Sequence, residues 1–409
     1  MSPLPDPPST VHRRADAPDL PRLLYIGDVP VESSYHGSAL LYRLLQVYPP
    51  EKLRIVETNL IRSLPERRLR GVTYAELHLG HPRPLRTRFA RAYSSWLTCA
   101  NWGRSQRIEK LLGDFQPEAV LTVAHGFSWD AAARFAATHG LPLHLICHDD
   151  WPRFTNVFPF LKQRVDERLG EVYRQAVSRL CVSPFMCDAY RERYGVPGEV
   201  LYPSRAADAP VHSSPPARLR EPGRALTVAF GGTVNTSGYI RALRSVAETL
   251  APQGGRLLIF GPMTVGDAER AGLALPNVEL RGLVSSAALM DRFREEADVL
   301  FVPMSFAAED RPNMEISFPS KLTDYTAVGL PLLIYGPDYC SAVRWARENP
   351  GVAEVVTQPG MEQLTVALQR LAGSPETRCQ LGQAALTVGK RDFFHTSVSN
   401  QFRSALQSK

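Results

Sequence analysis

The stretch FPSKLTDYTAVGLPLLIYG, Phe318 to Gly336, decides how the rest of the chain is read. Its Pro-Ser pair suits a loop entering a helix, Lys321 to Val328 runs without a breaker, Gly329 stops the helix, and Pro331 leads into the apolar run LLIY. That is loop, helix, turn and strand. Ser320 is expected to cap the helix, whose N-terminus is a natural seat for phosphate oxygens. Lys321 puts a positive charge in the first turn, where the helix dipole favours acidic residues, so an anionic ligand explains it better than helix stability does. Asp324, one turn on, is placed to face the same ligand. The plain alternative is an ordinary αβ unit with solvated charges.

Working outward, ALTVAFGGTV reads as a strand ending in Gly231-Gly232-Thr233, a turn whose backbone N–H groups suit phosphate. A helix from Tyr239 to Leu250 follows, then RLLIFGP, VELRGLV and DVLFVPM as strands separated by helical segments. That alternation predicts a doubly wound parallel sheet. Helices are expected over 361–372 and 375–388, and a final one in RDFFHTSVSNQFRSAL.

The first half opens in the same way. RLLYIGD (22–28) is a short strand, VPVESSYHG a loop, and SALLYRLLQVY has helical spacing, with Gly37 at the helix mouth where backbone can be approached closely. Leu53 to Ile61 reads as a second strand. Two further strands end in histidine: AVLTVAH at His125, and LPLHLICH at His148, followed by Asp149, Asp150 and Trp151. Ligands of open α/β sheets gather at the carboxyl ends of strands, so both histidines are candidate site residues. RLCVSPFMCDAYRERYGVPGEVLYPS reads as strand, Ser183 cap, helix closed by Gly195, and strand; AADAPVHSSPPARLREPGR has the composition of a linker.

The 409 residues suit two domains. With 44% apolar and 22% charged residues and no long apolar run, the chain reads as soluble, and MSPLPDPPSTVHRRADAPDLP reads as a disordered tail with no secretory core. Six scattered cysteines without a CxxC pair fit reduced thiols in a cytoplasmic protein, and zinc finds no closely spaced ligand set. The net charge of +6 is modest, but Arg62 to Lys110 holds eleven basic residues against three acidic ones. Phe89, Tyr93, Trp96 and Ala100 recur there at helical spacing. Such a helix either lies on an anionic membrane surface or packs its aromatic stripe on the sheet beneath arginine stems. No nucleic-acid motif accompanies the charge, so nucleic acid is not an expected partner.

PSK, an acidic residue, an aromatic, Gly-x-Pro and a β-run resemble the donor-binding segment of family 4 glycosyltransferases of the GT-B fold, and the resemblance extends from about residue 22 to 405. It implies two Rossmann-like doubly wound domains facing across a cleft: a tail (1–20), an acceptor-side domain (21–205), a linker (206–224), a donor domain (225–388) and a helix returning to the first domain (389–409). It implies transfer of a sugar from a nucleotide-diphosphate sugar to a saccharide or lipid-linked saccharide, mostly with retention, and without a cofactor. Donor contacts would fall on Gly231, Gly232, Thr233, Arg311, Glu315, Ser320, Lys321 and Asp324. His148, with Asp149 and Asp150, would serve the transferred sugar, and Gly37 and His125 the acceptor side. Asp149-Asp150 lacks Asp-x-Asp spacing, and GT-B enzymes generally work without a bound metal, so none is expected. Two departures stand out: Val234 and Ser237 occupy places where the family sets an arginine and a lysine on the diphosphate, and Ile316 stands where the first glutamate of a Glu-x7-Glu pair belongs, with Glu315 one off register. These departures keep open a non-catalytic binding or scaffold protein, or a sugar-nucleotide epimerase on the same fold.

Overall fold

The computed structural model describes residues 20–33, 37–101, 103–234 and 236–408. The tail read over 1–20 therefore lies outside the described residues, except for buried Leu20, whose carbonyl accepts a hydrogen bond from Lys52.

Short apolar runs alternating with helices build two all-parallel sheets. In the first, β1 (Leu23–Gly27), β2 (Leu53–Thr58), β3 (Thr73–Leu77), β4 (Ala119–Val123), β5 (Leu143–Cys147), β6 (Ser178–Cys181) and β7 (Glu199–Val200) lie in the order β3-β2-β1-β4-β5-β6-β7. The second holds β8 (Thr227–Gly231), β9 (Arg256–Phe260), β10 (Val278–Gly282), β11 (Val299–Pro303), β12 (Leu332–Tyr335) and β13 (Ala353–Val356), in the order β10-β9-β8-β11-β12-β13. Strands β1, β4, β5, β8 and β11 are buried along their whole length, as expected where helices cover both faces. In each sheet the winding reverses beside the first strand, between β1 and β4 and between β8 and β11. The ligand crevice of an open α/β sheet opens at such reversals, and here the two crevices face one another.

The halves are tied at several points. Helix Gly37–Leu45 carries Arg43, which donates to the Ser204 carbonyl (2.8 Å) and pairs with Asp324 of the second half (3.0 Å). The Ser183 hydroxyl donates to the Ile316 carbonyl (2.5 Å) while capping its own helix through the Met186 N–H. Arg205, buried just after β7, donates to the Thr323 carbonyl (3.1 Å) and the Thr326 hydroxyl (3.2 Å), and so grips the helix Lys321–Val328 from the hinge. Burial pushes its pKa down to about 10. Helix His395–Leu406 packs back on Gly37–Leu45, where an imidazole nitrogen of His395 meets the Arg43 carbonyl (2.8 Å). The linker-like stretch is not loose throughout: Leu219 is buried and Arg218 pairs with Asp298 (2.7 Å).

The basic region corrects one expectation. The helix Ala90–Cys99 buries Ser94, Ser95 and Leu97, whereas Trp96 is 53% and Phe89, just before its first turn, 59% exposed. Of the aromatic stripe only Tyr93 packs against the core, while Phe89 and Trp96 face outward. Ser95 sits inward because its hydroxyl bonds protein: it donates to the Arg91 carbonyl (2.8 Å) and accepts the Phe158 N–H (2.9 Å).

Candidate active site

Strands β4 and β5 are parallel neighbours, so their carboxyl ends bring His125 and His148 side by side. The loop after β4 is fixed by buried Asp28, which accepts the Phe127 and Ser128 N–H groups (2.7 Å each). Trp151 lies against the His125 ring (centroids 4.3 Å apart). His148 Nε2 lies 3.2 Å from His125 Nδ1 and 3.2 Å from Asp149 Oδ2, and His125 Nδ1 lies 3.5 Å from the same oxygen. Burial works against the Asp149 carboxylate, but the charge and hydrogen bonds of His148 and His125 outweigh it and hold its pKa well below the ordinary carboxylate range. Gly37 sits against this group: a Cβ there would lie 3.1 Å from His148 Cε1.

Asp150 does not join them. It is buried, and Arg193 holds both its oxygens (2.8 and 2.9 Å), with Arg153 at 3.6 Å. A carboxylate so engaged anchors the turn after β5 and is not available to a substrate.

Across the cleft, Lys321 is half-buried, and no carboxylate pairs with it among the described residues. Its Nζ lies 5.2 Å from the Phe230 ring centroid and 5.5 Å from that of Tyr239. Burial pushes its pKa down to about 8. Gly232 makes room for it: its φ is +133°, and a Cβ there would lie 2.7 Å from Lys321 Cε. The expected use of the glycine amides on phosphate is corrected here, because both are committed. Gly231 N–H donates to the Tyr325 hydroxyl (2.7 Å) and Gly232 N–H to the Phe260 carbonyl (2.8 Å). Ser320 does not cap. Its backbone is already helical and its side chain makes no capping bond, because the first turn opens one residue earlier, at the Pro319 carbonyl.

Asp324 offers one oxygen to Arg43, while its other is buried without a partner. Arg311 and Glu315 do not reach the site. They stand four apart on the outward face of the helix Arg311–Ile316, pair with each other (3.6 Å), and Arg311 covers the Tyr339 ring (4.6 Å). Asn313 and Met314 of that helix face the cleft instead.

The cleft has two connected chambers. One, of 240 Å³, is lined by Gly37, His148, Asp149, Tyr239, Asn313 and Met314; the other, of 490 Å³, by Arg43, Gly231, Gly232, Val284, Leu289 and Asp324. Thr233, Ser320 and Lys321 border both. Sequence reasoning missed Arg43, Arg205 and Tyr239. Nothing in the spacing separates an arginine aimed at another domain from a solvated one.

Two doubly wound parallel sheets whose crevices face one another are the GT-B fold, and this chain has it. Residues 55–204 match the model of Glycosyltransferase Family 4. Similar solved structures include HepE of Anabaena in complex with UDP-glucose (13% identity over 95% of this chain and 100% of that chain, TM-score 0.63) and sucrose-phosphate synthase of Thermosynechococcus elongatus (12%, 93% and 97%, 0.65). An α,α-trehalose 6-phosphate synthase of Burkholderia multivorans is similar too (15%, 95% and 98%, 0.62). No curated protein matches the chain in sequence.

Proposed function

We propose that this protein is a glycosyltransferase that moves a sugar from a nucleotide-diphosphate sugar to a hydroxyl of a saccharide or lipid-linked saccharide. One observation carries the reading: Lys321, a cation with no carboxylate partner among the described residues, stands where the two chambers meet. A diphosphate at that junction sends its nucleoside toward Asp324 and its sugar toward His148 and Asp149. Asp324, which lines the larger chamber, is an acceptor for ribose hydroxyls. Lys321, supplying the charge that Val234 and Ser237 do not, stabilises the leaving diphosphate by electrostatic preorganisation. The UDP-glucose of the HepE complex favours a uridine nucleotide among the donors to be tried. Calorimetric titration with UDP, GDP and ADP, each with wild type and Lys321→Ala, tests the reading. The variant should bind its best nucleotide about ten- to a hundredfold more weakly, and equal affinity would remove Lys321 from the donor site.

The acceptor reading extends to the membrane surface. No helix among the described residues is long and apolar enough to cross a membrane. Exposed Phe89 and Trp96 nevertheless stand beside Arg86, Arg88 and Arg91, which have no acidic partner among the described residues. That pairing of aromatic and basic groups suits peripheral contact with anionic lipid. A groove of 710 Å³ next to it, lined by Arg62, His78, His81, Arg83 and Arg86, would hold the acidic part of a lipid-linked acceptor.

A further inference from the structure

We propose that Arg67, in the first half of the chain, is a donor-binding residue whose guanidinium takes the diphosphate from the side opposite Lys321. The inference rests on the donor reading given above and adds to it a contact from the facing half. Four charged residues line the larger chamber: Arg43, Arg67, Lys321 and Asp324. Arg43 and Asp324 pair with each other (3.0 Å), and the Ser204 carbonyl holds the other arm of Arg43 (2.8 Å). Lys321 and Arg67 are then the chamber's cations with no acidic partner among the described residues, one from each half. A nucleotide-diphosphate sugar carries one negative charge on each phosphate, so the lysine alone leaves half of that charge unmet. The places after Gly232 that could meet it hold Val234 and Ser237. Arg67 is the cation that remains, and a planar guanidinium offers phosphate oxygens two parallel N–H donors.

The local backbone explains why Arg67 is both fixed and left unneutralised. It ends the short helix Pro65–Arg67, and its carbonyl accepts the Ser33 N–H (3.1 Å). At the other end of that helix the Leu64 N–H donates to Glu32 (2.6 Å), while Glu57 accepts the Val31 N–H (2.6 Å) and the Ser63 hydroxyl (2.5 Å). The helix is thereby fastened to the loop after β1, and Ser33 of that loop lines the same chamber. These bonds also engage the two buried carboxylates of this corner, with Arg68 adding its charge to Glu57 at 3.9 Å. The Arg67 side chain is left to the cleft. A cation on a fixed backbone needs little reorganisation when a phosphate arrives. Arg67 is absent from the lining of the smaller chamber, where the sugar is placed, so it addresses the nucleotide and not the transferred group. In the sequence it is one of eleven basic residues between Arg62 and Lys110, and of these it is the one that lines this chamber.

Calorimetric titration of wild type with UDP, GDP and ADP identifies the preferred nucleotide. Arg67→Ala, Arg67→Gln, Lys321→Ala and Arg70→Ala are then compared on that nucleotide by calorimetry and on its parent nucleoside by ligand-observed NMR. Arg67→Ala should bind the diphosphate about ten- to a hundredfold more weakly and the nucleoside as wild type does. Arg67→Gln, which keeps most of the stem and removes the charge, should show the same loss and carries the test if the alanine variant does not fold. Arg70→Ala removes an exposed arginine that lines neither chamber and should bind as wild type. Wild-type affinity in the Arg67 variants beside a weakened Lys321→Ala would overturn the assignment and leave the donor site standing. An equal loss for the nucleoside, or an equal loss in Arg70→Ala, would also overturn it, the first by moving Arg67 off the phosphates and the second by reducing its effect to general attraction. Wild type that binds none of the three nucleotides would overturn the donor reading and this residue with it.

Discussion

Burial of Lys321 makes two opposed demands on one side chain. With its pKa lowered to about 8 from 10.5, the folded protein binds fewer protons than the unfolded chain between those values, so this group's contribution to stability rises with pH across that window. At pH 7 it costs up to about 3 kcal/mol. Lys321→Met should therefore melt higher than wild type at pH 7, with the advantage gone above pH 10.5, while losing nucleotide-diphosphate binding. A variant that is both less stable and unable to bind would argue for a structural lysine. In wild type, affinity should hold below pH 8 and then fall about tenfold per pH unit as the free lysine loses its proton, which calorimetry across pH 6–10 can follow. His148 stands in the facing half, on the side where we place the reacting sugar. His148→Ala should leave nucleotide affinity nearly unchanged and lower turnover about a hundredfold or more, roughly 1.4 kcal/mol per factor of ten. Wild-type turnover in the folded variant would exclude it from the reaction.

Among elements, the helix Ala90–Cys99 is the one whose faces run against a simple hydrophobic reading. Three basic residues near an anionic surface are worth about 1 kcal/mol each. Reversing Arg86, Arg88 and Arg91 to glutamate should abolish co-flotation with anionic vesicles, and Phe89→Ala with Trp96→Ala should weaken it with the charge unchanged. Wild-type protein that never floats at low salt would refute the membrane contact. The same helix shows where sequence is a poor guide, since periodicity marks an aromatic face without saying whether it faces core or solvent. Central strands were legible because burial on both faces makes them continuous apolar runs. Edge strands β3 (TYAEL) and β13 (AEVV) were not, being half covered and correspondingly polar. At the site, His125, His148 and Lys321 announced themselves by position at strand ends and a helix start. Asp150, Arg311 and Glu315 misled because their ion-pair partners lie far away in sequence or on a helix face whose orientation only packing sets.

For the whole molecule, the cleft depends on ties between halves that each have a sheet of their own. Arg43 binds the hinge carbonyl of Ser204 and the Asp324 carboxylate together. Arg43→Ala leaves that carboxylate half-buried and unpaired, a loss of roughly 1–3 kcal/mol. Hydrogen exchange of the hinge amides at Leu201 and Arg205 should then quicken about tenfold or more, while amides of β4 and β11 keep their protection. Equal quickening everywhere would mean that the tie stabilises the fold as a whole and not the closure.

The return of helix His395–Leu406 onto helix Gly37–Leu45 also sets a schedule for biosynthesis. Val398, Phe402, Ala405 and Leu406 are buried in that return. The strands of the first half have left the ribosome about 190 residues before these residues are made, an interval of roughly 10–40 s at 5–20 residues per second. Throughout that interval the nascent first half keeps a face that nothing yet covers, which makes it a natural client for a chaperone.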